Sequence, residues 1–572
     1  MQPQPLPAWL EQAFLWLNYP VARYWLLAWL GLAGAAGLAV SAGATGSPRW
    51  WQRPWVFAVA VILALAACRW PTWFIQDELN PDESFLLAGA ITLRHYPVHW
   101  KAVDTMTAGP LDAYALTGAS LLGLPLNFFG ARVLTLLLQA GALLATRAAL
   151  RRLVAEPVAR LGVLGPLVFW GLTSHHDFIH YSSELVSLLL LALAGWLLAA
   201  GLAIDASHPR PSAGRLFLTG FFLGLVPFAK LQGVPPAAAL GLIGLVALFR
   251  HRRQTGLAPC GWFLAGALAA PGLAIALIAA AGQAGEAWHA YILNNLWYVK
   301  TAPASAGPLA RLLELVNFVP AFRAFWWGSL GCVLVLSGPA WRRAAPAQRA
   351  LLGAGWILLG AATIAVLGPG RLLPHYLEFL VLPLGFLLAI HLQAAAPRLA
   401  AGPFSSAQGV FLPALFLALA VAPQVVSRLR NHHIYAGQFA HFRYEHPPSQ
   451  AAYYIRQQAR PGDTLAMWGW RPQLYVETGL PQGTREAQTE RQLSLDPVVQ
   501  AYYLGRYLRD LREQAPAWFV DAVGPASLGY QNRSQHGHET LPELARYIAG
   551  HYEFQIEIEH QRIYRRRPGT SP

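Results

Sequence analysis

Gln76-Asp77-Glu78-Leu79-Asn80-Pro81-Asp82-Glu83-Ser84 is the stretch on which the reading of this chain turns. Four carboxylates fall within the seven residues from Asp77 to Glu83, whereas the 76 residues before Asp77 carry one acid, Glu11. An apolar run, 55–70, ends just ahead of the cluster. The acids therefore stand where a membrane span meets water. Two readings are open there: a solvated loop, or a set of general bases or metal ligands at the water–lipid boundary. The rest of the chain bears on the choice.

Apolar residues make up 55% of the 572 and charged residues 12%, about half the usual share in soluble proteins. Apolar runs of 17 to 23 residues recur along the chain, each close to the ~20 that cross a bilayer as helix. Tryptophans gather at their ends (Trp50, Trp51, Trp70, Trp73, Trp326, Trp327), as interfacial anchors do. A multi-pass membrane protein is expected, without a cleavable signal: the first run starts near Arg23 and continues too long for one. Residues 1–440 hold 27 Lys/Arg against 14 Asp/Glu, and residues 441–572 hold 15 against 14. The basic excess thus belongs to the membrane part and reports topology and lipid contact. No basic–aromatic motif points to nucleic acid. Three cysteines, Cys68, Cys260 and Cys332, lie in or beside apolar runs, which fits neither a disulfide framework nor a zinc site.

Spans are expected at 22–44, 53–69, 130–150, 157–173, 182–204, 213–229, 232–249, 260–281, 321–338, 349–368, 374–393 and 408–425. The apolar run 110–128 decides the topology. If it does not cross, 15 of the 27 basic residues of the membrane part fall in turns on one side, which is then cytoplasmic. Asp112 and Pro125 inside the run also fit a helix lying along the surface better than one that crosses. The expected architecture is mainly α: a membrane bundle of 12–13 spans over residues 1–440, with a first outer loop 71–129 that carries juxtamembrane helices. From about 441 the composition becomes that of a soluble domain. Helices are expected at 447–460, 498–513 and 541–551, with strands at 464–470 and 517–521 and a strand or hairpin at 552–564. This small α/β domain, 441–572, would lie outside the cytoplasm.

Polar residues gather at the outer turns. They include Lys101 and Asp104 in the first loop, His175-His176-Asp177 and His180 to Glu184, Lys230, Asn294 to Lys300, and Arg371 with His375, Tyr376 and Glu378. Ionisable groups at membrane depth are costly unless paired or used. Adjacent histidines on a helix point to different faces, so His175 and His176 make a poor metal pair, and no metal ligand set is assigned. Single cations at the headgroup level, such as Lys230 and Arg371, suit a phosphate carried on a lipid. Simple snorkelling of each side chain is the alternative.

These residues come in a distinctive order. An acidic Asp-Glu in the first outer loop (Asp82-Glu83) is followed by Gly109-Pro110-Leu111 opening a helix. Then come an Arg-led span (Ala131-Arg132), a Tyr-Ser-Ser-Glu turn (Tyr181 to Glu184) and a late His-Tyr-Leu turn (His375 to Leu377). This order resembles the GT-C superfamily of integral-membrane glycosyltransferases, nearest to its bacterial protein-mannosyltransferase-like and aminoarabinose-transferase-like group. The likeness covers about 50–425. The additional N-terminal span and Asp77-Glu78, a rival acidic pair, depart from it. The resemblance implies transfer of a sugar from a polyprenyl-phosphate donor to a lipid, glycan or protein acceptor. It places the reaction on the outer side of the bacterial inner membrane. It implies catalytic carboxylates among Asp82, Glu83 and Asp77. Lys230, Arg371, His375 and Tyr376 would hold the donor phosphate, and Asp104, His176, Asp177 and Glu184 would face the acceptor. No cofactor is assigned, with a divalent cation left open.

A transporter or flippase of a lipid-linked sugar would instead place polar residues at mid-span and show an internal repeat; neither is visible. An envelope polysaccharide polymerase or ligase shares the same substrates and stays open. The topology is testable. A cysteine at Asn127 is expected to react with an impermeant thiol reagent from the outer side of the membrane, against the parent as control. Labelling from the cytoplasmic side alone overturns the arrangement.

Overall fold

Eleven long helices account for the apolar runs before residue 401. They are Val21–Ser41, Pro54–Arg69, Phe128–Leu150, Glu156–Leu172, Glu184–Gly201, Ala213–Ala229, Val234–Arg250, Ala258–Ala280, Pro320–Arg343, Pro346–Leu367 and Glu378–Ala400. The structure is a computed structural model and describes residues 9, 12–13, 16–17, 21–42, 50–75, 77–202, 211–302, 307–400, 421–422, 425–426 and 448–569. The expected span 408–425 and the boundary near 441 lie, almost wholly, outside the described residues. Nine of the described helical segments are long and apolar enough to cross a membrane. Glu156–Leu172 and Ala213–Ala229 have 17 residues each, about 26 Å of helix. This is a multi-pass membrane protein.

The bundle packs closely where side chains are smallest. A Cβ placed on Gly266 would lie 1.9 Å from the Phe217 carbonyl oxygen, and one on Gly220 2.1 Å from that of Phe263. The helices Ala213–Ala229 and Ala258–Ala280 thus touch backbone to backbone, which lipid-embedded helices achieve with small residues.

The run 110–128 does not form a crossing helix. Its helix, Pro110–Leu121, has 12 residues, about 18 Å against a hydrocarbon core of roughly 30 Å. Gly109 precedes it because nothing larger fits: a Cβ there would lie 2.1 Å from the Phe228 carbonyl oxygen, and its N–H donates to Ala229 O at 2.7 Å. The other loop helix, Pro81–Leu93, starts as its sequence dictates. Asn80 Oδ1 accepts from the Asp82 N–H at 2.9 Å, Pro81 takes the first position, and Asp82 and Glu83 occupy the first turn, where the helix dipole favours acids.

One buried ion pair ties this helix to the bundle. Arg132 donates from Nε to Glu83 Oε1 at 3.1 Å and from Nη2 to Oε2 at 2.8 Å, both side chains fully buried. The same guanidinium donates to the carbonyls of Thr72, Ile75 and Asp77. Glu83 also accepts from the Tyr181 N–H at 3.1 Å. Three chain segments and a second outer turn are fixed by one pair.

The C-terminal part carries a four-stranded sheet of β1 (Leu465–Trp468), β2 (Trp518–Asp521), β3 (Tyr552–Ile558) and β4 (Gln561–Arg566), in the order β1-β2-β4-β3. β1 and β2 run parallel, while β4 pairs antiparallel with β2 and β3. Helix Pro497–Gln514, capped by Asp496, and helix Pro542–His551 pack on it through Tyr507, Leu511, Leu544 and Ile548. The strand or hairpin expected at 552–564 is the β3–β4 hairpin. A further short helix, Gln473–Thr478, contacts the Pro81–Leu93 helix.

Arginines of this domain grip the first loop. Arg491 Nη2 lies 2.8 Å from Asp104 Oδ2, and Arg506 bonds the same oxygen. Arg506 also reaches Glu286 at 3.1 Å, and Arg485 bridges Glu286 at 3.0 Å and Asp510 at 3.2 Å. Burial opposes ionisation of Asp104, yet Arg491 and Arg506 outweigh it and hold its pKa at about 2. Backbone bonds run alongside: Asp104 N–H to Arg485 O at 2.8 Å and Gln482 N–H to Thr92 Oγ1 at 2.9 Å.

Removing one member of a buried pair strands the other as an unpaired charge, at a cost of roughly 3–5 kcal/mol. Arg132→Met is therefore expected to lower the thermal midpoint in detergent sharply, and Arg132→Met with Glu83→Gln much less. Equal losses in the two would show that the pair does not hold the loop.

Candidate active site

The end of the bundle that carries Asp82 draws together the polar residues of four separate turns. Asp82 Oδ2 stands 3.8 Å from His375 Nε2, and His375 Nδ1 stands 3.9 Å from Asp177 Oδ2. A buried imidazole thus sits between two carboxylates. Asp177 is held from the other side by Asn80 Nδ2, which donates to its Oδ1 at 2.8 Å. One asparagine therefore caps the Asp82 helix with its oxygen and fixes Asp177 with its nitrogen. Burial disfavours the Asp177 carboxylate, but His375 outweighs it and holds the group well below the usual carboxylate range.

Lys230 forms the second centre. Its Nζ lies 3.2 Å from Glu184 Oε1, donates to Ser183 Oγ, and stands 5.9 Å over the Tyr376 ring. The Tyr376 and Tyr298 hydroxyls are 3.1 Å apart, and the Arg371 guanidinium lies 4.2 Å over the Tyr298 ring. Arg371 Nη2 donates to Thr301 Oγ1 at 3.3 Å. The two tyrosines connect the two cations across the site. Asp112 is wholly buried nearby and feels the charges of Lys230 and Glu184; burial pushes its carboxyl well above the ordinary value. Tyr181 donates to the Asp112 carbonyl at 2.8 Å.

Of the residues singled out in the sequence, Asp82, Asp177, Glu184, Lys230, His375 and Tyr376 meet here, with Arg371 at the rim. Glu83 faces into the bundle against Arg132. Asp77 is exposed, with its carbonyl accepting from Arg132 at 2.8 Å. His176 is half-exposed, its Nε2 3.3 Å from Asp177 Oδ1. Asp104 is bound by Arg491 and Arg506 instead. Asn80, which caps the Asp82 helix and holds Asp177, was not singled out in the sequence.

The ligating atoms of His175, His176 and Asp177 lie within 4.8 Å of one another. These residues form a 3₁₀ turn in which the two imidazoles stack at 4.4 Å, so the expectation that they diverge does not hold for this backbone. Such a donor set suits a divalent cation. A second acidic group, Asp521 with His538 and Glu539, is already paired to Arg533 at 2.8 Å and to Arg562 at 2.5 Å.

No protein-family model matches this chain, and no curated protein matches it. Solved structures do. The crystal structure of ArnT from Cupriavidus metallidurans bound to undecaprenyl phosphate aligns at a TM-score of 0.54 and 16% identity, over 90% of this chain and 98% of its own. Its apo state aligns at 0.52 and 17%, over 89% and 97%. The Archaeoglobus fulgidus oligosaccharyltransferase in apo form aligns at 0.45 and 11%, over 82% and 70%. The chain has the fold of ArnT, the GT-C architecture that the order of its motifs resembles, along nearly its whole length.

Glu78, next to the candidate base, gives a pH test. Burial pushes its pKa from 4.5 up to about 7, and the nearby Glu83 charge adds to the rise. The folded protein therefore keeps a proton that the unfolded chain releases. The stability this supplies is full below about pH 4.5 and declines as pH rises to about 7. Thermal midpoints at about pH 5 and pH 8 are expected to fall in the parent and to fall less in Glu78→Gln. Identical slopes would place the titration elsewhere.

Proposed function

We propose that this protein transfers a sugar from a polyprenyl-phosphate donor to an envelope acceptor on the outer side of a bacterial inner membrane. The observation that carries the reading is the pairing of a carboxylate, Asp82, with buried and rim cations, Lys230 and Arg371, at one end of an ArnT-like bundle. The ArnT structure was solved with undecaprenyl phosphate bound, which supports the same class of ligand here. Below Lys230 an apolar cleft of about 830 Å³ opens between helices, lined by Leu188, Pro236, Leu240, Ile243 and Phe386 among others. Leu188 lies one turn beyond Glu184, so a prenyl tail would leave the phosphate site directly into it.

The chemistry follows from charge. An acceptor hydroxyl or amine attacks the anomeric carbon as the bond from that carbon to the phosphate oxygen breaks. Polyprenyl phosphate departs with the electron pair, and Lys230 and Arg371 stabilise the charge it gains. Asp82 takes the acceptor proton. It stands in the first turn of a helix, where the dipole favours a carboxylate, and His375, 3.8 Å away, faces it. Asp177 and Glu184 hold His375 and Lys230 in place from behind. His175, His176 and Asp177 would hold a divalent cation if one is used, and no step is assigned to it. The C-terminal domain then lies on the same outer face as the site it contacts.

Two measurements test this reading. Loss of a charge-assisted contact costs roughly 1.5–3 kcal/mol. Arg371→Ala is therefore expected to weaken binding of polyprenyl phosphate in nanodiscs by about one to two orders of magnitude. Lys230→Ala is compared in a Glu184→Gln background, because alone it strands Glu184 as a buried charge. Unchanged affinity in both overturns the phosphate site. In the transfer assay, Asp82→Asn is expected to lose about 10²–10⁴-fold in turnover while donor binding persists, and Asp77→Asn much less. The reverse order would assign the base to the first acidic pair.

A further inference from the structure

The apolar cleft below Lys230 runs through most of the bundle. It follows one helix from Leu188 to Leu202 and another from Pro236 to His251, about 21 and 22 Å of helix against a hydrocarbon core of roughly 30 Å. Small residues make the room. Ala149, Ala192, Gly195, Ala199, Ala247 and Ala354 line the cleft where larger side chains would fill it. Helix Val234–Arg250 starts close to Lys230 and ends at the far mouth of the cleft. That mouth therefore opens on the membrane face opposite the candidate active site.

The far mouth differs in chemistry from the walls. Arg152, Arg250, His251 and Gln348 line it, and all four are exposed. Arg147, Arg151 and Arg160 on the same face share the Glu156 carboxylate, whereas no carboxylate pairs with Arg152 or Arg250 among the described residues. Gln348 accepts the Ala345 N–H on its Oε1 at 3.2 Å, which leaves its Nε2 to donate. It stands in the first turn of helix Pro346–Leu367, whose N-cap residue Ala345 offers no capping side chain, so the positive end of that helix adds to the two guanidiniums. Cations that serve topology alone need only stand on one face of the membrane. Here two of them rim an apolar cleft.

We propose that this mouth binds a diacyl phospholipid of net negative charge from the leaflet opposite the candidate active site. Its phosphate lies against Arg152 and Arg250, and one acyl chain enters the cleft. Basic pockets between membrane helices hold headgroups of this kind. One leaflet accounts for about 15 Å of the hydrocarbon core, so the chain ends short of Glu184 and Lys230. A zwitterionic phospholipid fits less well, because its own ammonium neutralises the phosphate and would stand among cations. A free phosphate would meet the same cations and leave the apolar walls unfilled. The proposal is independent of the role of Asp82 and of the donor phosphate at Lys230 and Arg371.

Native mass spectrometry of the full chain, released from detergent micelles, tests the site by resolving each bound lipid. Dioleoyl phosphatidylglycerol is expected to bind the parent more tightly than dioleoyl phosphatidylethanolamine. Arg152→Ala with Arg250→Ala is expected to weaken phosphatidylglycerol about thirtyfold and to leave phosphatidylethanolamine unchanged. Arg53→Ala with Arg253→Ala removes the same charge outside the cleft and is expected to bind phosphatidylglycerol like the parent. Ala247→Phe, one turn before His251, fills the cleft without touching a charge and is expected to weaken phosphatidylglycerol too. Equal affinity of the parent for the two lipids, or equal losses in the two arginine pairs, overturns the site. So does parent-like binding in Ala247→Phe, or displacement of phosphatidylglycerol by inorganic phosphate, since either would show an anion site that takes no acyl chain. Arg371→Ala, which tests the donor site, is expected to bind phosphatidylglycerol like the parent, so the failure of one reading is separable from the failure of the other.

Discussion

The buried pair of Arg132 and Glu83 is the constraint on which the site depends. An isolated charge inside a membrane bundle is prohibitively costly, so neither residue is tolerable without the other. Arg132 places its remaining donors on the carbonyls of Thr72, Ile75 and Asp77, where a span ends. The pair therefore dictates the path of the chain from the end of the second helix to the first turn of Pro81–Leu93. Asp82 is the next residue on that turn. Its direction towards His375 follows from Glu83 facing inward, since successive residues on a helix diverge by about 100°.

A second set of charges does for the C-terminal domain what this pair does for the loop. Arg485, Arg491 and Arg506 face Asp104, Glu286, Glu486 and Asp510. Each guanidinium is shared between acids on different segments, so geometry is fixed more firmly than any single bond would allow. The acids outnumber the bases, and burial accordingly pushes Asp510 up to about 6 despite Arg485. The first loop, which carries Asp82 at one end and Asp104 further on, is thus gripped at two points by two different arginine systems.

Much of this was legible in the sequence because it rests on local rules. Apolar runs of sufficient length gave the spans, Gly109-Pro110 marked a helix start, and strand–helix alternation gave the small sheet. The meeting of Asp82, Asp177, Glu184, Lys230, His375 and Tyr376 was legible as well, since costly polar groups at the same membrane depth have few places to go but one another. What the sequence withheld were choices between chemically equal residues. Asp82 and Glu83 are adjacent acids in one helical turn, and only the position of Arg132 separates a structural carboxylate from one facing the site. Asp104 is an acid in the right loop, yet its partners lie nearly 400 positions on. His175 and His176 were read as helical and divergent, whereas a 3₁₀ turn stacks their rings.

Charge balance adds a last constraint on how such a site could take a phosphate. Asp82, Asp177, Glu184 and Asp112 surround Lys230, His375 and Arg371, so an incoming dianion enters a region already rich in carboxylates. Two features lessen the repulsion. Burial pushes the Asp112 carboxyl well above its ordinary value, against the pull of Lys230. Asp177 spends its charge on Asn80 and His375 rather than on the open site. Lys230 pairs directly with Glu184 and stands over the Tyr376 ring, whose hydroxyl leads through Tyr298 to Arg371. The two cations lie at either end of that pair of phenols, and one of the two hydroxyls, not spent on the other, is left to donate. The tyrosine pair, hydrogen-bonded to each other, thus sets a polar surface without a carboxylate between Lys230 and Arg371.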